Sequence, residues 1–326
     1  MDSIWTKTCK IPQREALQTD TKTEIAVIGA GIAGILIAYQ LQKAGKQVLI
    51  LEANRIASGQ TKNTTAKITS QHDFKYTELI QNHGKEKAQQ YALANEASIQ
   101  EYRRIITEEQ ILCDFQENSS YIYSQDKEKL IAEAEAAASF GIKASYFDNI
   151  KTPFGISPAL CFEKQAQFHP LKFIKHLSEH LEIYENTPVQ KVEDHRIYTP
   201  HGTVTAEQIV FATHYPFINF PGMYFARMHQ ERSYVLALEN VPSFDGMFIG
   251  EGENKYSFRY YDKYLLFGGE GHRTGDNREG GKYEALRKKS KELFPDAKEV
   301  THWSAQDCIP ADSIPYIGRY ASTKPY

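Results

Sequence analysis

Cysteine is scarce in this sequence, and the cysteines that it has lie far apart. The 326 residues include 4 cysteines, and none of them forms a C-x-x-C pair or a paired Cys/His spacing. Disulfide frameworks and zinc sites need such clustered ligands. The pattern therefore favours reduced thiols in a cytoplasmic protein and gives no support to a metal site.

Long apolar runs and an excess of one charge are also missing. The longest apolar run covers residues 25–39 and is interrupted by three glycines, so at 15 residues it is too short to cross a membrane. The first twenty residues lack the apolar core of a signal peptide. The net charge is −3, which offers no basic surface for nucleic acid. These absences favour a soluble globular protein that binds neither membranes nor nucleic acid.

Glycine is concentrated where an apolar strand meets a helix. Residues 25–28 form a short apolar run typical of a strand buried on both faces, and Gly29-Ala-Gly-Ile-Ala-Gly34 follows at once. Residues 32–44 have the pattern of a helix that ends before Gly45, and residues 47–51 form a second apolar strand. This order of strand, glycine-rich turn, helix and strand is the β-α-β unit that binds dinucleotides.

The residue types in this unit match what a dinucleotide requires. Gly29 allows a tight turn after the strand, Gly31 lets the pyrophosphate approach the N–H groups at the helix N-terminus, and Gly34 lets helix and strand pack closely. Glu52 lies 23 residues after Gly29 (52 − 29), where a carboxylate can accept hydrogen bonds from the ribose hydroxyls. Because its charge would repel a 2′-phosphate, NADP is disfavoured.

The segment after Glu52 favours FAD over NAD. The loop at 55–74 is crowded with small and hydroxyl-bearing residues, namely Ala57, Ser58, Gly59, Thr61, Thr64, Thr65 and Ala66. A nicotinamide dehydrogenase is expected to begin another β-α unit soon after the ribose acid. An extended polar loop instead suits a longer cofactor, to which its backbone and hydroxyl groups can donate hydrogen bonds. We therefore predict FAD.

Three further segments resemble one family of flavin enzymes. They are Ser-Ile-Trp at 3–5, LEANRIASGQT at 51–61 and WSAQDCIPADSIPYIG at 303–318. Together with the glycine-rich turn they look like the D-amino-acid oxidase / glycine oxidase (DAO) type of FAD-dependent oxidoreductase. Residues 61–76 are most similar to the branch that often carries a C-terminal Rieske iron–sulfur domain. A Rieske centre needs paired Cys-x-His and Cys-x-x-His motifs, and this sequence has neither.

The resemblance implies an α/β fold with an FAD-binding Rossmann-like domain and a second domain built on a mostly antiparallel sheet. We expect the FAD-binding domain at 1–82, 160–217 and 302–326, and the inserted lobe and substrate domain at 83–159 and 218–301. Short alternating segments rich in Tyr and Phe at 222–300 also favour an antiparallel sheet. Helices are predicted at 86–109, 126–140 and 284–293, with Asp126 as a helix cap, and a hairpin is predicted around Asn118-Ser119.

The cofactor-binding residues follow from the β-α-β unit, the polar loop and the resemblance. In the family, the backbone of a valine at the position of Val189 holds the adenine. The family usually has Ala-Thr-Gly at the end of the next buried strand, where this chain has Ala212-Thr213-His214. The expected set is Gly29, Gly31, Ile32, Ala33, Gly34, Glu52, Ala53, Arg55, Ser58, Gly59, Thr64, Thr65, Ala66, Val189, Ala212 and Thr213.

The catalytic candidates lie on the predicted antiparallel sheet and near the chain end. Arg259 stands where the family places an inward arginine, which suits a fork on a substrate carboxylate, although a solvated or ion-paired strand arginine is the alternative. Tyr261 shares the face of Arg259 in a regular strand. His272 and Trp303 complete the set, with Trp303 as a cover of the pocket or a core aromatic.

The expected reaction is oxidation of a small-molecule amine or amino acid. In the resembling enzymes a hydride leaves a carbon next to an amine nitrogen and reaches flavin N5, giving an imine. Two alternatives stay open: a flavoprotein that passes electrons to an iron–sulfur redox partner of the Rieske type, and a non-catalytic module that binds a nucleotide as a structural ligand.

The C-terminal segment predicts that the chain is a fragment. In the resembling family the segment after Pro-Tyr-Ile-Gly leads into a further strand, a glycine-containing turn at the flavin and a closing helix. Only residues 319–326 follow Gly318 here. We expect a longer parent chain to hold FAD more tightly than this one.

Overall fold

The fold comes from a computed structural model that describes residues 2–152, 155–219, 222–252, 256–276, 278, 280–319 and 324–326. Its helices are α1 Ile4–Thr8, α2 Ile32–Lys43, α3 Lys75–His83, α4 Lys85–Glu108, α5 Lys127–Ser139, α6 Pro170–Leu177, α7 Tyr224–Arg227 and α8 Lys282–Leu293, with a 3-10 turn at Gln60–Asn63. Its strands are β1 Thr21–Ile28, β2 Val48–Leu51, β3 Lys67–Ile68, β4 Gln116–Tyr123, β5 Ala144–Thr152, β6 Gly155–Gln167, β7 Glu182–Tyr184, β8 Lys191–Glu193, β9 Arg196–Thr199, β10 Gly202–Phe211, β11 Met228–Glu239, β12 Met247–Gly250, β13 Ser257–Tyr261, β14 Tyr264–Arg273 and β15 Lys298–Pro310.

The first sheet contains the predicted β-α-β unit. Its strand order is β7-β2-β1-β10-β9-β8. The strands β7, β2, β1 and β10 are parallel, and β9 and β8 form an antiparallel extension. The apolar residues of β2 are all buried, as expected for a parallel strand covered on both faces. The prediction of a Rossmann-like unit is confirmed.

The second sheet is mostly antiparallel, as predicted. Its order is β15-β11-β14-β13-β12-β4-β6-β3, with β5 also paired with β6. The β12–β4 pair is parallel, and the other pairs run antiparallel. Strand β15 pairs with β11 from Lys298 to Pro310, except at a bulge that leaves out Val300. The domain boundaries given above stay a prediction.

The local predictions for the lobe after α2 were partly correct. The helix predicted at 126–140 is α5, and the carboxylate of Asp126 accepts a hydrogen bond from the N–H of Lys129 at 3.1 Å, as a cap should. The hairpin predicted at Asn118-Ser119 was wrong. Both residues lie within β4, where a bulge between Asn118 and Ser120 interrupts the pairing with β6. Because a bulge and a turn use the same small polar residues, the local pattern did not separate them.

One apolar core joins the two sheets. Ile25 and Val27 of β1 and Ile35 of α2 belong to the same buried cluster as Leu266 of β14 and Trp303 of β15. This shared core fixes the position of one sheet relative to the other and so defines the space between them. No helix within the described ranges is both long and apolar enough to cross a membrane.

Candidate cofactor and substrate cavity

A cavity of about 2270 Å³ lies between the two sheets. Its walls come from the glycine-rich turn, from the loop between β2 and β3, from the end of β10, from one face of α4, and from β11, β15 and the segment after β15. Pockets for drug-sized ligands usually measure about 300–1,000 Å³. This cavity therefore has room for a dinucleotide and a small second ligand.

The glycines at the start of α2 serve two different purposes. A Cβ atom added to Gly29, whose φ is +107°, would lie 2.6 Å from the carbonyl oxygen of Ala212, and one added to Gly34 would lie 1.9 Å from the carbonyl oxygen of Gly29. These two glycines thus allow close packing of strand and helix. A Cβ on Gly31 would meet only the hydroxyl of Thr61, at 3.4 Å, and Gly31 lines the cavity. The space beside Gly31 at the N-terminus of α2 fits a pyrophosphate.

Glu52 is held at the edge of the cavity by the backbone. Its Oε2 accepts a hydrogen bond from the N–H of Ala30 at 2.8 Å, and its Oε1 accepts one from the N–H of Asn54 at 2.9 Å. Each carboxylate oxygen can accept a further bond. The side chain is therefore oriented and still able to bind ribose hydroxyls.

The cavity wall contains most of the residues that were expected to bind the cofactor. They are Gly29, Gly31, Ile32, Ala33, Glu52, Ala53, Ser58, Gly59, Thr64, Thr65, Ala66, Val189, Ala212 and Thr213. Gly34 is not part of the wall, because it packs against the turn.

Arg55 requires a correction, because it does not line the cavity. Its Nε is 2.7 Å from Oε2 of Glu185, which is fully buried. The other oxygen of Glu185 accepts a hydrogen bond from the N–H of Ile56 at 2.7 Å. Arg55 and Glu185 thus fix the start of the polar loop. Sequence reasoning missed Glu185, since nothing local distinguishes it from other acids that follow a short strand.

Several residues on the wall have a left-handed backbone. Ala57, Ala66 and His214 have φ values of 57°, 56° and 64°. Such values are uncommon for residues other than glycine and cluster at functional sites. At His214 this conformation accounts for the glycine that the resembling family carries there. The His214 ring nitrogen Nε2 lies 2.9 Å from the carbonyl oxygen of Gln306, on β15.

The expected substrate contact of Arg259 also needs correction. Its side chain is 1% exposed and is not part of the cavity wall. Its guanidinium donates hydrogen bonds to the carbonyl oxygens of Thr65, Ala66 and Phe168. Because the donors already serve the backbone, they cannot also form a fork on a substrate carboxylate.

The other three catalytic candidates lie outside the wall as well. The hydroxyl of Tyr261 bonds to Oδ2 of Asp114 at 3.1 Å. The ring of His272 lies 3.1 Å from the hydroxyl of Tyr234. The indole N–H of Trp303 donates to the carbonyl oxygen of Asn63 at 2.8 Å. Trp303 thus supports the loop that forms part of the wall, whereas the partners of Tyr261 and His272 do not line the cavity.

Four charged residues that sequence reasoning missed line the cavity, namely Lys67, Arg227, Asp307 and Arg319. Lys67 is the first residue of β3, and its Nζ donates to the carbonyl oxygen of Phe248 at 3.3 Å. Burial, with a smaller effect from the charge of Arg259, lowers the pKa of Lys67 to about 7. Desolvation by burial raises the pKa of Asp307, which lines the cavity from β15. The cavity thus offers both cationic and anionic side chains. Lys67 and Asp307 lie within the segments 61–76 and 303–318 that resemble the family, but the resemblance did not indicate a role for either residue.

Comparison with known proteins identifies the family. Residues 24–325 match the family described as FAD dependent oxidoreductase (DAO). The chain belongs to this family. The predictions of the DAO family, of the oxidoreductase class and of FAD as the cofactor are therefore confirmed.

A relative in Bacillus subtilis (strain 168) is named as a Rieske 2Fe-2S iron-sulfur protein, YhfW. It is 34% identical over 335 residues, which cover 97% of this chain and 66% of that protein. This chain therefore spans just under two thirds of the length of that relative.

Solved structures of DAO-type enzymes share the fold. Glycine oxidase from Geobacillus kaustophilus matches with a TM-score of 0.74 and 18% identity, over 93% of this chain and 87% of that one. L-proline dehydrogenase from P. horikoshii matches with a TM-score of 0.75 and 18% identity, over 94% and 87%. At these identities the likeness establishes the fold alone.

The cavity wall fits the cofactor of the DAO family. The N-terminus of α2 beside Gly31 would hold the pyrophosphate, and Glu52 would hold the adenosine ribose. The loop with Thr64, Thr65 and Ala66 continues the wall toward the second sheet and would border the flavin ring.

Proposed function

We propose that this protein oxidises a small amine or amino acid, with a hydride leaving the carbon next to the amine nitrogen and an imine as the product. The observation that carries the proposal is the continuous cavity, which has a dinucleotide-binding turn at one end and Lys67 and Asp307 on the walls of the rest. FAD, when bound, supplies the two-electron acceptor. The names of structurally similar proteins, among them glycine oxidase and L-amino acid deaminase, support this substrate class.

The chain's own residues would then bind and orient the substrate. The ammonium of Lys67 suits a substrate carboxylate, in the role first expected of Arg259. The carboxyl of Asp307 suits a substrate amine and can keep its nitrogen close to the wall. An amino acid would use both groups, and a simple amine would use Asp307 alone. The assignment of these two residues is part of the proposal.

Anaerobic reduction of the bound flavin tests the proposal. Protein loaded with FAD is mixed without oxygen with a panel of amino acids, their N-methyl derivatives and the corresponding amines, and with 2-hydroxy acids as a control class. We expect amines or amino acids to bleach the flavin absorption in a saturable way. Bleaching by the hydroxy acids alone would contradict the substrate class. If dithionite reduced the bound flavin but no amine in the panel did, the hypothesis of a non-catalytic nucleotide-binding module would be favoured.

The electron acceptor is a second question, because either oxygen or an iron–sulfur protein could reoxidise the reduced flavin. The name of the Bacillus subtilis relative supports this alternative. The substrate-reduced protein is mixed with oxygen or with an isolated Rieske-type protein, and flavin reoxidation is followed. Fast reoxidation by oxygen indicates an oxidase. Reoxidation that is slow with oxygen and fast with the iron–sulfur protein indicates an electron-transfer role.

A further inference from the structure

Four successive carbonyl groups of the polar loop accept hydrogen bonds from side chains that are distant in sequence. The carbonyl oxygen of Asn63 accepts from the indole N–H of Trp303 at 2.8 Å, and that of Thr64 accepts from the indole N–H of Trp5 at 2.7 Å. The carbonyl oxygens of Thr65 and Ala66 both accept from the guanidinium of Arg259. Every one of these backbone acceptors therefore points toward the protein interior.

The three donor side chains form one buried group. Trp5, Trp303 and Arg259 are at most 1% exposed, and the guanidinium of Arg259 lies 5.3 Å from the ring centre of Trp5. They come from α1, β15 and β13, which are far apart in sequence. No carboxylate lies within ion-pair distance of Arg259 in the described part of the chain. Burial of a cation without a counter-ion costs folding free energy. Because Arg259 is nevertheless buried and donates to two adjacent carbonyls, we infer that these hydrogen bonds have a specific function.

Peptide geometry links these carbonyls to the cavity. In a trans peptide the C=O group and the next residue's N–H point in opposite directions. Carbonyls drawn inward at 63–66 therefore leave the N–H groups of the following residues on the side of the cavity, which Thr64, Thr65 and Ala66 line. The N–H of Ala66 is bonded to Oγ1 of Thr64 at 2.9 Å, whereas those of Thr64 and Thr65 have no acceptor among the described residues.

We propose that Trp5, Trp303 and Arg259 are positioning residues that turn the N–H groups of Thr64 and Thr65 into the cavity, where they donate to polar atoms of the flavin ring. The left-handed backbone of Ala66, at φ 56°, is held by the same contacts. Donors at the ring stabilise the reduced flavin, which carries more negative charge, more strongly than the oxidised flavin. The inference depends on FAD as the cofactor and is independent of the substrate class.

Two conservative variants test this role, because Trp5→Phe and Trp303→Phe keep an aromatic ring and remove a single donor. Tyr123→Phe is the matched control, since the buried hydroxyl of Tyr123 also donates to a backbone carbonyl, that of Tyr256 at 2.9 Å, away from the loop. For each protein three quantities are measured: the Kd of FAD for the apoprotein, the reduction potential of bound FAD, and the Tm without FAD.

We expect each Trp variant to bind FAD roughly 2- to 13-fold more weakly, as fits the loss of one net hydrogen bond, and to have a more negative flavin reduction potential. The Tyr123→Phe control should lower Tm and leave both FAD quantities unchanged. Arg259→Lys keeps the charge but can donate to fewer carbonyls. Its Kd for FAD and its flavin reduction potential should therefore lie between those of wild type and of Arg259→Met. Trp variants with lowered Tm but a wild-type Kd and potential would show that the donors serve only the fold and would overturn the proposal.

Discussion

At the scale of single residues, Glu52 offers a direct test of the cofactor site. Glu52→Gln replaces one carboxylate oxygen by an amide NH2, which cannot accept from the N–H of Ala30 or Asn54 and binds ribose hydroxyls more weakly. We expect FAD binding to weaken by about 1–3 kcal/mol, which corresponds to roughly 5- to 150-fold in Kd. Titration of FAD into the apoprotein measures this change.

Glu24→Gln is the control for that experiment. Glu24 lies at the opposite end of the same β-α-β unit, where Oε1 accepts from Nζ of Lys46 at 2.6 Å. It does not line the cavity. Its substitution should leave the Kd of FAD unchanged. Equal losses in the two variants would mean that Glu52 acts through stability and not through the ribose.

The lowered pKa of Lys67 predicts that the rate of flavin reduction by an amino acid depends on pH. Because its pKa is lowered to about 7, its ammonium is present below pH 7 and is lost as the pH rises through that value. If it binds a substrate carboxylate, the rate of flavin reduction at low amino-acid concentration should fall above about pH 7. The decarboxylated amine should not show this fall. The rate of flavin reduction is measured by stopped flow from pH 6 to pH 9, which is roughly one unit below that pKa to two units above it.

Lys67→Met should remove this pH dependence and weaken amino-acid binding, while reduction by the amine changes little. Lys62→Met is a suitable control, since Lys62 belongs to the same polar loop but does not line the cavity. An identical pH profile for amino acid and amine in the wild type would exclude Lys67 as the carboxylate-binding residue.

At the scale of elements, a buried acid from one helix caps another. Glu133 of α5 is fully buried, and its carboxylate accepts from the N–H groups of Tyr76 at 2.7 Å and Thr77 at 2.8 Å, in the first turn of α3. Phe74, the residue that precedes this helix, provides no side-chain acceptor. Glu133 therefore satisfies N–H groups that a local cap would otherwise serve.

Glu133→Gln should lower the free energy of unfolding by about 1–3 kcal/mol, because an amide nitrogen would face buried donors. Urea denaturation followed by circular dichroism measures the change. Glu135→Gln, two residues away on the exposed side of α5, should stay within about 0.5 kcal/mol of wild type. Similar losses in both variants would show that general charge effects on α5, and not the cap, determine the result.

At the scale of the whole molecule, a ligand in the cavity contacts both sheets. The glycine-rich turn belongs to the first sheet, while Ser233 and Ala305 line the cavity from β11 and β15 of the second. A ligand that binds only the folded state stabilises it by mass action, by about 2.7 kcal/mol at a concentration 100-fold above Kd. FAD should therefore raise the Tm of the apoprotein as its concentration increases.

Hydrogen exchange should show which parts of the molecule respond. We expect slower exchange on addition of FAD in the loop at 57–66 and in residues 305–318, and no change in α8, which is remote from the cavity. Protection confined to the first sheet would contradict a cofactor that spans both walls.

The cofactor end of this protein was predictable from its sequence. The glycine-rich turn, α2 and the ribose acid Glu52 act within about thirty consecutive residues, so strand, turn and helix preferences are enough to place them. The helices α4, α5 and α8 were predictable for the same reason, since their apolar spacing is local. The resemblance in the loop at 61–76 and at 303–318 then indicated the family.

The contacts of the residues in the second sheet, in contrast, became clear only from the fold. Arg259 has the sequence context of a substrate-binding arginine, yet its guanidinium is buried beneath the polar loop, next to Trp5 of α1. The fold also places Lys67 and Asp307, which lie 240 residues apart (307 − 67), on the walls of one cavity. Burial, counter-charges and hydrogen-bond partners depend on segments that are distant along the chain. A local pattern carries no information about them, because it specifies the residue but not its neighbours.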